Sequence, residues 1–121
     1  MISRTLMNKV LCVIRIMIES QIDELIDREL KSISYPNSID VQCFKSHRIK
    51  PCLINVCLDC DGINWKDCYL VTEHNGINDS PYRVIFDPEH NMFAREITLQ
   101  NAVALYLGRY PGLEALLDDF A

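Results

Sequence analysis

The stretch that most constrains the fold runs from Tyr82 to Tyr110. Three apolar-rich runs, Tyr82–Asp87, Met92–Leu99 and Val103–Tyr110, are separated by short polar turns. Such runs, rich in β-branched and aromatic residues, fit strands of an antiparallel meander. Proline at 88 fixes one dihedral of the first turn, and Asn91 tolerates left-handed backbone there. Residues 99–108 carry two readings. Thr98 could cap a helix ended by Gly108, or Gln100 and Asn101 could turn one strand into the next. The aromatic tail Tyr106–Tyr110 favours the strand. Alternation then predicts a core of Val84, Phe86, Phe93, Ile97 and Leu107.

Upstream, residues 3–34 read as one long helix. Leu6, Val10, Ile14 and Met17, then Ile22, Leu25, Ile26, Leu30 and Ile33, keep helical spacing. Pro36 ends the run by disfavouring helical backbone at Tyr35. The alternative is a helix that starts at a capping box near Ser20, with a strand before it. Ile39, Val41 and Cys43 alternate with polar residues and predict a strand. His47–Pro51 reads as a basic turn, Cys52–Leu58 as a central strand, Asp61–Gly62 as a turn and Trp65–Thr72 as another strand. Residues 75–81 form the longest loop. Pro111 suits the first turn of a short helix to Phe120 that buries Leu113, Leu116 and Leu117. The expected architecture is one α+β domain over residues 1–121: a mostly antiparallel five- to six-stranded sheet, a long N-terminal helix and a short C-terminal helix.

At 121 residues the chain can bury one core without staples. Its cysteines stand at 12, 43, 52, 57, 60 and 68. Val10–Ile18 is the best signal-like run, but Arg15 interrupts it and no cleavage site comes after it. It is also too short to span a bilayer. Reduced cysteines in a cytoplasmic protein, with no membrane contact, are therefore expected.

No specific catalytic motif occurs, and no catalytic residue is assigned. Cys52, Cys57, Cys60 and Cys68 have spacing that could hold a metal or cluster. Yet the first of these lie on strand-like sequence, where buried cysteine behaves as a small hydrophobe. The primary expectation is no metal and no cofactor. A thioredoxin-like role fails because Cys57 and Cys60 do not open a helix after a strand. A Cys60–His74 nucleophilic pair has no geometric support in the sequence. Asp59, Asp61 and Asp67 lack the glycine and closing glutamate of a calcium loop.

The net charge of −5 argues against a dedicated nucleic-acid binder, which would show a basic face. A basic protein partner fits it better. Glu19, Asp23, Glu24, Asp27 and Glu29 give the first helix an acidic face, either solvated or used for docking. Asp118 and Asp119 stand at the end of the last helix, where negative charge is mildly unfavourable. Asp23, Glu24, Asp27, Asp118 and Asp119 are the expected partner-binding residues.

The C-terminal third, with Tyr82–Asp87, Phe93-Ala94, Leu107–Tyr110 and Leu113–Leu116, resembles small bacterial immunity proteins of polymorphic toxin and contact-dependent inhibition systems. The resemblance implies a cytosolic protein that binds and neutralises one cognate toxin domain, often a nuclease. It carries over no catalytic residues. Two other readings stand beside it: a small cysteine-containing metal or redox protein, and an adaptor or oligomerisation domain that adds strands at an exposed sheet edge.

Overall fold

The structure, a computed structural model, describes residues 4–59, 61–73 and 81–119, with side chains from Ile18 onward. Helix α1 (Arg4–Ser32) and helix α2 (Ile39–His47) come first. Strands β1 (Arg48–Cys57), β2 (Trp65–Thr72), β3 (Tyr82–Asp87), β4 (Met92–Thr98) and β5 (Ala104–Tyr110) come next, and helix α3 (Leu113–Asp118) ends the described chain.

Each strand pairs antiparallel with the one before it. The number of strands is odd, so β1 and β5 must point the same way. Their pairing, at Cys57 and Leu105, is accordingly parallel, and it closes the sheet into a barrel. The expected mostly antiparallel sheet is present, with five strands among the described residues where five to six were expected. Its closure was not anticipated, because nothing local in the sequence encodes contact between its first and last strands.

Closure creates two cores from one sheet. Side chains alternate across a strand, so adjacent residues feed different cores. Val56, Cys68, Leu70, Ile85 and Ala94 pack together inside the barrel, with Tyr106 and Ala104 against them. Tyr69, Val71, Val84, Phe86 and Phe93 face outward and meet Ile22 and Ile26 of α1, Val41 and Phe44 of α2, and Leu113, Leu116 and Leu117 of α3. The Phe86 and Phe93 rings meet edge to face, with centroids 5.3 Å apart. Burying a side chain of this size stabilises the fold by about 1.5–3 kcal/mol. The expected core holds for Val84, Phe86, Phe93 and Leu116. Ile97 is only half-buried, and Leu107 is 40% exposed, so Leu107 is not a core residue. The β4–β5 pairing slips between Arg95 and Glu96, whose partners are Gly108 and Tyr106, so Leu107 is left without a partner residue on β4 and strict alternation along β5 fails there.

Backbone is helical from Arg4, so no strand precedes Ser20 among the described residues. Residues 39–43 are the clearest correction: they are the first turns of α2 and not a strand. Ser38 Oγ accepts from Val41 N and caps the helix. Asp40 sits in its first turn and Lys45 and His47 in its last, as the helix dipole favours. The basic segment Arg48–Pro51 opens β1 where a turn was expected. Residues 99–103 turn, as the strand reading required. Leu99 N donates to Val103 O at 2.8 Å, and Ala102 takes the left-handed position at φ 66°. Asn91 is left-handed as anticipated, at φ 54°.

Two glutamates tie α1 to α3. Gly112 precedes α3 and has no side chain to cap it. Glu29 Oε1 does so from α1, accepting from Leu113 N at 2.9 Å. A Cβ on Gly112 would lie 3.1 Å from that oxygen, so the close approach favours glycine. In return, Glu114 Oε1 accepts from Ser34 N just beyond α1, at 2.9 Å. Glu29 is thus a clasp between helices and not part of a solvated face.

Candidate functional site

The densest chemistry lies at one end of the barrel. Asp87 ends β3 with its side chain on the same face as Ile85, and it is fully buried. Its Oδ2 accepts from Lys66 Nζ of β2 at 2.8 Å and from the Tyr106 hydroxyl of β5 at 2.8 Å. Its Oδ1 accepts from Glu89 N at 3.1 Å, in the turn that Pro88 opens. Lys66 Nζ also pairs with Glu89 Oε2 at 2.7 Å and lies 5.7 Å from the centroid of the Tyr106 ring. His90 Nδ1 stands 3.0 Å from Asp87 Oδ2 and 3.3 Å from Lys66 Nζ. One nitrogen cannot serve both. Protonated it donates to the carboxylate; unprotonated it accepts from the ammonium.

These contacts fix charge. Burial alone would raise the Asp87 carboxyl, but hydrogen bonds from Lys66, Tyr106 and His90 outweigh it and hold it at about 2. Burial opposes the Lys66 charge, and the Asp87 and Glu89 carboxylates more than restore it, so Lys66 holds its proton more firmly than a free lysine. Burial, then the hydrogen bond to Asp87, push the Tyr106 phenol upward. Burial and the nearby Asp87 charge raise the Cys68 thiol to about 12. Asp87 is therefore ionised at neutral pH, Lys66 charged, Tyr106 and Cys68 neutral. A general acid or base works best with a pKa near the working pH, and none of these four meets that need.

Asp87, Glu89 and His90 are the one set of three potential metal ligands that converges among the described residues, all within 4.8 Å. The Lys66 ammonium already contacts all three. A metal ion would have to displace it.

The cysteine set expected as the metal alternative does not converge among the described residues. Cys57 and Cys68 are buried and Cys52 is exposed. Cys57 Sγ donates to Asp59 O at 2.7 Å, while Cys68 packs inside the barrel. Cys60 and His74 lie outside the described residues. Asp59 is a turn former: its carboxylate accepts from Ile63 N and Asn64 N, and the first of these bonds leads in lowering its pKa.

The acidic candidates divide. Arg48 Nη1 reaches Asp27 at 2.6 Å and Arg48 Nη2 reaches Asp23 at 3.2 Å. Asp119 accepts from the Tyr110 hydroxyl at 2.6 Å, and the Arg95 guanidinium lies 5.6 Å from that ring. Asp23 and Asp27 are thus paired with a cation within the chain, and Asp119 is hydrogen-bonded within it. No ion pair among the described residues uses the Glu24 or Asp118 carboxylate, and both residues are exposed. The two are not brought together. Glu24 lines a groove between α1 and the β3–β4 turn, alongside Arg28 and Asn91. Asp118 lines a smaller cavity between α2 and α3.

Sequence reasoning passed over Lys66, Tyr106 and Tyr35. The first two acquire meaning only once β2, β3 and β5 are brought round one barrel. Tyr35 served as a helix terminator, yet it stands 77% exposed beside Ile39 at 74%. No described helix is long and apolar enough to cross a membrane. No family model matches the chain, and neither a curated protein nor a solved structure matches it.

Proposed function

We propose that this chain is an immunity protein, a cytoplasmic inhibitor that binds a basic toxin domain and blocks its active site or substrate cleft. The observation that carries this reading is the pair of exposed carboxylates, Glu24 and Asp118, without ion-pair partners among the described residues of a chain of net charge −5. Carboxylates so placed can stand in for the phosphates that a nuclease cleft expects. The locked protonation at Asp87, Lys66, Tyr106 and Cys68 supports binding over catalysis. The proposal includes no cofactor and no nucleic-acid partner.

The test pairs the chain with a toxin domain encoded beside its gene. Cells that express both should survive, and the association rate should fall as salt rises, because opposite charges steer the encounter. Glu24→Lys and Asp118→Lys should slow association without unfolding the protein, since exposed charges contribute about 0–1 kcal/mol to stability. Death of cells containing soluble, folded protein would sink the immunity reading. Rescue with unchanged association rates would leave immunity standing and remove its electrostatic basis.

A further inference from the structure

The corner where α1, α2 and α3 meet is unlike the rest of the helical layer. Tyr35 and Ile39 are the two most exposed large apolar side chains among the described residues, at 77% and 74%. Both lie within the short span between the end of α1 and the first turn of α2. Tyr35 also lines a cavity of about 120 Å³, which Leu117 of α3 lines as well. An exposed aromatic and an exposed aliphatic side chain beside a small cavity form the kind of anchor point that carries binding energy in protein interfaces.

Charge decides what the corner can accept. Asp40, Glu114 and Asp118 line the same cavity, and among the described residues no lysine, arginine or histidine does. The hydrogen bond from Ser34 N to Glu114 leaves the glutamate's charge in place. Asp118 closes α3, whose last turn carries no basic residue, so its charge adds to the negative end of the helix dipole. An acidic or neutral apolar segment would gain the apolar contact and lose the electrostatic one.

We propose that this corner is a docking site for a basic side chain, lysine or arginine, flanked by an apolar residue on a protein partner. The cation sits between Glu114 and Asp118, and the apolar neighbour covers Tyr35 and Ile39. The proposal rests on the binding role inferred above and gives that role a location.

The experiment titrates isotope-labelled full chain with the blocked peptide acetyl-Gly-Leu-Arg-Leu-Gly-amide, monitored by amide NMR. A control peptide carries glutamate in place of arginine. Saturable shifts confined to residues around Tyr35, Ile39 and Asp118, with the arginine peptide only, are expected. Tyr35→Ala and Asp118→Lys should each weaken that binding by about tenfold. Both side chains are exposed, so neither change should unfold the protein. No shifts at millimolar peptide, equal shifts with the glutamate control, or shifts spread to Glu24 and the rest of α1 would overturn the docking site. The same variants go into the toxin assay. Rescue with toxin affinity unchanged in both variants would overturn the docking site and leave immunity intact. Peptide shifts at the corner with no rescue by the wild type would do the reverse.

Discussion

Arg83–Glu96 and Lys66–Asp87 are both ion pairs whose acid is fully buried in the same small barrel. They lie four residues apart along β3, on either side of Ile85. In the first pair, Arg83 Nε donates to Glu96 Oε2 at 2.6 Å, Arg83 Nη2 to Thr98 Oγ1 at 3.2 Å, and Thr98 Oγ1 to Glu96 Oε1 at 2.8 Å. Three side chains close a ring with one cation and one acid. In the second pair, Asp87 keeps a phenol, a backbone N–H and an imidazole besides its cation, and the cation is shared with exposed Glu89. The planar guanidinium gives one fixed geometry, whereas the ammonium is a point charge that several acceptors can surround. The lesson is that equal burial does not make equal dependence. Glu96 has one hydroxyl besides its cation, whereas Asp87 has three further partners besides its own.

That contrast predicts a ranking. Arg83→Met should cost about 3–5 kcal/mol in urea unfolding, because it strands a buried charge. Lys66→Met should cost less, about 1–3 kcal/mol, because other donors still hold Asp87. Equal losses, at unchanged denaturant slope, would break the comparison.

The smallest effect is in acid. Asp87 titrates at about 2 in the folded chain and at ~3.9 when unfolded. The folded state therefore binds this proton less readily, so the carboxylate's contribution is complete above pH ~4 and is lost as pH falls towards 2. Subtracting the stability curve of Asp87→Asn from that of the wild type should show a slope confined to this window. A flat difference would mean that Lys66, Tyr106 and His90 do not hold the carboxylate down.

The legible parts of the fold were those written locally. Trp65–Thr72 and Tyr82–Asp87 are apolar runs bounded by turn residues, and the structure keeps both ranges. Residues 39–43 misled because Ile39, Val41 and Cys43 alternate like a strand. The decisive signals were Ser38 as a cap and the apolar pair Val41 and Phe44, three apart and both buried. Leu107 misled because a slip in pairing cannot be seen from one strand. The acids of α1 read as a free face because their partner, Arg48, is remote in sequence and arrives only through the β1–α1 contact. The Lys66–Asp87–Tyr106 cluster was illegible for a related reason. It needs three strands in register round a closed ring, and sequence spacing holds no such register.

The parallel seam has a consequence for the order of assembly. The hairpins of β1–β2, β3–β4 and β4–β5 each close a short loop, whereas Cys57 and Leu105 are further apart along the chain than any other paired strand residues. Long loops cost more entropy to close, so local hairpins precede the seam. Until the ring shuts, water reaches its interior and both Asp87 and Glu96 remain hydrated. The dehydration of two charges thus falls together with the last topological step. Folding should pause on the approach to the native state, and φ-values should be near zero at Leu105 and higher at Phe86.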